Sequence, residues 1–132
     1  MNPSLDRYFE SEVLSADPVR LVTILYRAAR EAVAAASAAL AAGDIPLRSK
    51  HILKAWDIVQ ELRGALNHDA GGDISLQLEE LYNYVGQRLL DANAQQSQKA
   101  LDEAEAVLAV LAEAWLGVHA KQQAGQPIVV AC

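Results

Sequence analysis

Asn67-His68-Asp69-Ala70-Gly71-Gly72-Asp73-Ile74-Ser75-Leu76-Gln77-Leu78-Glu79-Glu80-Leu81-Tyr82-Asn83-Tyr84 is the stretch that decides the fold. It opens on a polar run with paired glycines and passes into leucines and tyrosines at helical spacing. Each glycine costs a helix about 1 kcal/mol relative to alanine, so the chain is expected to turn at Gly71-Gly72. Asp73 then offers a side-chain oxygen to cap the helix that follows. About two helices' worth of sequence lies on each side, so the break divides the chain into two pairs.

Downstream of the glycines, a helix is expected over 74–93. Ile74, Leu78, Leu81, Val85, Leu89 and Ala92 form its apolar stripe, and Tyr82 flanks it. Gln77, Glu80, Gln87 and Asp91 form the polar face, and Tyr84 falls among them as the exception. Ala94 to Gln98 reads as a polar break with Ser97 as a cap, followed by a helix over 98–120. Leu101, Ala104, Leu108, Leu111, Trp115 and Val118 form that stripe, which Val107, Val110 and Ala114 widen.

Upstream, Asp17-Pro18 is a helix start: the aspartate caps orphan amides, and proline at the first helical position gives up no needed hydrogen bond. The pattern holds over 18–42, with Gly43 as the stop. Leu21, Ile24, Leu25, Ala28, Ala32, Ala35 and Ala39 form one stripe, and Val22, Tyr26, Ala29, Val33 and Leu40 a second beside it. Asp44-Ile45-Pro46 reads as a connection. A second helix is expected over 47–67, with Ile52, Ala55, Val59, Leu62 and Leu66 inward. Leu53, Trp56 and Ile58 widen that stripe, and Lys50, Lys54, Asp57 and Glu61 lie on the opposite face. His68 would then sit at a helix C-terminus, where the dipole favours it.

The expected fold is all-α: an antiparallel four-helix bundle over 17–120. Residues 1–16 form a short N-terminal cap segment, helical or extended, and 121–132 a tail. Apolar residues make up 52% of the 132, enough for a core, and seven glycines and four prolines rarely interrupt it. A bundle helix needs about three apolar residues in seven. The first, second and fourth helices carry more, so apolar surface is expected outside the core, the usual mark of a partner site.

A net charge of −6 argues against nucleic acid as a partner, because phosphate binding needs clustered Lys and Arg. Residues 1–17 lack the apolar run of a secretory signal, and no apolar run reaches the length of a membrane span. The single cysteine, Cys132, rules out an internal disulfide and fits a reducing, cytoplasmic compartment. None of His51, His68 and His119 is preceded by a glutamate at the Glu-x-x-His spacing of di-metal bundles. Neither a phosphate-binding glycine loop nor a nucleophile elbow is present. No cofactor, metal or enzymatic activity is expected.

Four segments, in order, resemble FliS, the flagellin-specific flagellar export chaperone family. The first is Tyr8 and Val13 followed by Ser15-x-Asp17-Pro18-x-x-Leu21-x-x-x-Leu25-Tyr26. The second is Ile52-x-Lys54-Ala55-x-x-Ile58-x-x-x-Leu62-x-x-x-Leu66. The third is Gly71-Gly72-x-Ile74-x-x-x-Leu78-x-x-Leu81-Tyr82-x-Tyr84, with Leu89 and Asn93 beyond, and the fourth is Ala114-Trp115. Arg27, the alanine-rich end of the first helix and the apolar tail depart from the pattern.

The resemblance implies a cytosolic chaperone that binds the C-terminal, helix-forming segment of flagellin. It implies that premature polymerisation is prevented and that the cargo docks at the flagellar type III export gate. The N-terminal aromatic segment, with Tyr8 and Val13, would be a lid over the site. The residues expected to meet the partner are Tyr8, Val13, Leu21, Leu25, Ile52, Val59, Leu62, Leu78, Leu81, Tyr82, Tyr84, Leu89 and Trp115. For leucines on a stripe, core and contact both stand open; Tyr8 and Tyr84 stand furthest from a core role. The other reading is a non-enzymatic helical adaptor sharing only the bundle. Surplus apolar surface also allows a weak homodimer.

Overall fold

A computed structural model describes residues 17–123. It contains four helices: α1 (Pro18–Ala41), α2 (Ile45–Gly64), α3 (His68–Gln95) and α4 (Gln98–Gln123). Each packs on its neighbours in sequence, and α1 closes the ring against α4. Cross-helix bonds make the neighbours antiparallel. Arg63 meets Glu79 and Arg48 meets Asn93 between α2 and α3. Arg30 meets Glu105 and Ser37 meets Gln98 between α1 and α4. The all-α antiparallel bundle is what the periodicity predicts. The N-terminal cap segment lies outside the described residues.

The helix ends follow from local chemistry. Asp17 accepts from the amide of Arg20, with Pro18 opening α1. Gly43, at φ 72°, takes the left-handed turn that ends α1. The amides of Gly43 and Asp44 then reach back to the carbonyls of Leu40 and Ala39. Asp44 caps α2 in turn by accepting from Leu47. Ile45 and Pro46 therefore belong to the first turn of α2 rather than to a connection, by the same aspartate–proline logic that starts α1. Ser97 caps α4, as expected, by accepting from the amide of Ala100.

The glycine stretch differs from its reading. Asn67, not Asp73, provides the cap, accepting from Ala70, and the chain is helical again from His68. Only Gly72 leaves helical geometry, at φ 56° and ψ −130°, a backbone state open almost only to glycine. It kinks α3 one turn in. The α3 segment runs over His68–Gln95 instead of 74–93, and His68 stands at a helix N-terminus rather than a C-terminus. α4 likewise continues to Gln123.

The core draws on all four helices. Most of both apolar stripes of α1 is buried, with Leu21, Val22, Ala28, Ala35 and Leu40 half-buried, because α1 packs on α2 on one side and α4 on the other. Its surplus is thus mostly internal. The alanines at 29, 32, 36 and 39 give their neighbours close approach. At the centre of one end, the Tyr26 and Tyr82 hydroxyls share a 2.5 Å hydrogen bond. Trp115 closes that end and donates its indole N–H to the carbonyl of Val19 at 3.0 Å. At the other end Arg48 is buried, and its guanidinium reaches Asn93 in the last turns of α3. That places a cation at the negative end of the α3 dipole.

Candidate apolar interface

Helix geometry turns residues three and four apart onto one face. On α3, two such rows compete. Ser75, Tyr82, Val85, Leu89 and Ala92 face inward and are buried. Ile74, Leu78 and Leu81, read from the sequence as the start of that stripe, lie on its edge. Ile74 is 57% exposed and Leu81 38%, with Leu78 half-buried. The kink at Gly72 and the shift to Tyr82 as the inward residue explain the difference. Tyr82 takes the central position instead of flanking it, because its hydroxyl has a buried partner in Tyr26.

Tyr84 and Arg88 fix which way this edge looks. The Tyr84 hydroxyl donates to Glu103 on α4 at 3.0 Å, and Arg88 pairs with the same carboxylate at 2.9 Å. Leu81, three residues before Tyr84, lies nearest that side of α3. On α4, Val107, Leu111 and Val118 are only partly covered, and Val110 is 66% exposed. Apolar side chains on both helices thus stay exposed or half-buried. The hydrogen bond to Glu103 raises the Tyr84 phenol above its ordinary range, aided by partial burial and the carboxylate charge, with Arg88 pulling the other way.

A concavity lies between α1 and α4. It is a cleft of about 430 Å³ lined by Thr23, Tyr26, Arg27, Ala112, Trp115 and Leu116. The Arg30–Glu105 ion pair, at 2.7 Å, crosses its end.

The residues expected to meet a partner now separate. Leu25, Ile52, Val59, Leu62, Tyr82, Leu89 and Trp115 are core, although Trp115 also lines the α1–α4 cleft and Leu62 and Tyr82 a small crevice. Leu21 and Leu78 are half-buried, and Leu81 and Tyr84 are exposed. Leu81 and Tyr84 are neighbours three residues apart on α3, whereas Leu21 lines a small crevice with Pro18, Leu62 and Tyr82. Tyr8 and Val13 lie outside the described residues. Ile74, Val110 and Leu116 were not singled out, although all are strongly exposed. The signal for α4 was present: from Ala106 to Val118 only Glu113 is charged. A helix apolar all round needs cover on every side, which a four-helix ring does not give.

One constellation invites a catalytic reading. Ser75 Oγ lies 2.6 Å from His68 Nδ1, and His68 Nε2 lies 2.7 Å from Glu79. Ser75 is wholly buried, so no substrate reaches its hydroxyl. The imidazole instead ties the first turn of α3 across the Gly72 kink to the helix beyond. Glu79 also reaches Arg63 of α2 at 3.7 Å. Among the described residues no cluster of three metal-ligating side chains occurs, and no helix is long and apolar enough to cross a membrane.

Fold and surface together define an all-helical bundle with large apolar side chains left exposed on α3 and α4. The chain belongs to the FliS family: the family model described as "Flagellar protein FliS" matches residues 1–122. Among curated relatives, the flagellar secretion chaperone FliS of Salmonella typhimurium is 36% identical over 113 residues, covering 85% of this chain and 84% of the relative. FliSB of Pseudomonas aeruginosa is 35% identical over 109 residues, covering 83% and 86%. FliS of Vibrio cholerae is 30% identical over 119 residues, covering 87% and 88%.

Proposed function

We propose that this chain is a cytosolic, non-enzymatic export chaperone whose apolar α3–α4 surface holds the C-terminal, helix-forming segment of flagellin. Holding that segment keeps it from polymerising before export, and the complex is handed to the flagellar type III export apparatus. The relatives' shared name, flagellar secretion chaperone, supports the class. The observation that carries the reading is the apolar row of exposed Ile74 and Leu81 with half-buried Leu78 on α3, together with the partly covered Val107 and exposed Val110 of α4. An amphipathic helix laid there presents apolar residues at spacings of three and four, matching the row's own. A cargo that folds as it binds covers a large surface at modest affinity per unit area, which suits later release.

Hydrogen exchange tests the location. A peptide from the C-terminal region of flagellin should slow amide exchange in α3 from Ile74 to Leu81 and in α4 from Val107 to Val118. Protection confined to other elements would refute this placement.

A further inference from the structure

Gly117 lies inside α4, six residues before its end, and is exposed. A glycine there weakens the helix relative to alanine, because its backbone has more freedom to lose on folding. Other glycines of the bundle have a reason within the fold. Gly43 and Gly72 hold positive φ. Gly86 lets Trp56 lie against α3: an added Cβ there would stand 3.4 Å from the Trp56 ring nitrogen. Gly64 is the last residue of α2, where the helix stops in any case. Gly117 has none of these. Its φ is not positive, and among the described residues nothing lies within 4 Å of an added Cβ.

Its place on the helix gives it a different use. Glu103 bonds to Tyr84 and Arg88, so it marks the edge of α4 that faces α3. Steps of four and three residues carry that edge through Val107, Val110, Ala114 and Gly117. The side chains shrink along it from valine to alanine to none. Val110 is 66% exposed, and Glu113, Ala114 and Gly117 are exposed as well. Val110, Glu113, Ala114 and Gly117 stand at i, i+3, i+4 and i+7. They are the four corners of one hole between the side chains of a helix, of the kind a facing helix fills with a single residue. With no side chain at one corner, the hole opens down to the α4 backbone. Three of its corners are apolar or bare, so it suits a large apolar side chain.

We propose that Gly117 is a cargo-contact residue, and that its hole takes one leucine- or phenylalanine-sized side chain of the helical segment held on this surface. The inference rests on the proposed function and deepens it. The hole one heptad earlier, of Glu103, Ala106, Val107 and Val110, shares a corner with this one. Apolar residues seven apart on the cargo helix would therefore fill both. Gly117 weakens its own helix and serves the contact, so a side chain placed there moves stability and binding in opposite directions.

Gly117→Ala and Gly117→Leu in the full chain test this, read by melting temperature and by the anisotropy of a labelled peptide from the C-terminal region of flagellin. Both variants should melt higher than the wild type, by roughly 2–5 °C. Both should bind the peptide more weakly, Gly117→Ala by about threefold and Gly117→Leu by about tenfold or more. Gly64→Ala lies on α2, which does not pack on α4, and should leave binding unchanged. A wild type that binds no peptide at tens of micromolar would overturn the proposed function and this inference with it. Wild-type binding that both Gly117 variants match would overturn this inference alone. So would a lower melting temperature for Gly117→Ala, because the chain itself would then fill the hole.

Discussion

Single side chains show most clearly where pattern and packing part. Tyr82 and Tyr84 are two residues apart and look alike in sequence, yet one is the centre of the core and the other is exposed. The polar neighbours of Tyr84 made its exposure legible. Nothing local revealed that Tyr82 meets Tyr26, a contact spanning 56 residues. That pair has a consequence for stability. Burial, reinforced by Tyr82, pushes the Tyr26 phenol far above its usual 10. Above pH 10 the unfolded chain releases this proton and the folded chain does not. Stability is therefore whole below pH 10 and declines as pH rises beyond it, by up to about 1.4 kcal/mol per pH unit for this group. Tyr26→Phe should cost about 1–2 kcal/mol at neutral pH, from the lost buried hydrogen bond, and flatten the alkaline decline. Denaturant melts between pH 7 and 11 measure both effects. An unchanged alkaline slope would mean that Tyr26 is not the group responsible.

At the scale of elements, four helices and their order were readable because apolar residues recur at three and four. The ends were less so. The start of α2 repeats the aspartate–proline signal of α1 with one residue inserted, and the extra Ile45 hid it. The paired glycines suggested a long break, but only Gly72 needs a positive φ, so α3 gains a turn and His68 changes helix end. Glycines in this chain should therefore differ sharply on substitution. Gly72→Ala forces a side chain into a conformation that costs about 1–3 kcal/mol. Gly117 lies inside α4 with nothing within 4 Å of an added Cβ, so Gly117→Ala should stabilise by about 0.5–1 kcal/mol. Thermal unfolding of the two variants would separate them by sign; two equal effects would contradict the kink.

Across the whole molecule, the surplus of apolar residues was legible and its position partly so. Counting stripes placed it on the first, second and fourth helices. The ring arrangement covers most of the surplus of α1, leaves Leu47 and Leu53 of α2 and Val110 and Leu116 of α4 exposed as counted, and adds an exposed edge on α3. Core and contact residues share one chemistry and one spacing, so only the packing of neighbours separates Leu81 from Leu89. That separation is the central claim, and binding of a labelled flagellin C-terminal peptide tests it most directly. Fluorescence anisotropy should show saturable binding to the wild type. Leu81→Glu should weaken it about tenfold or more, while stability changes by only about 0.5–1 kcal/mol, because the side chain is already exposed. No binding to the wild type at tens of micromolar, or equal binding by Leu81→Glu, would contradict the account.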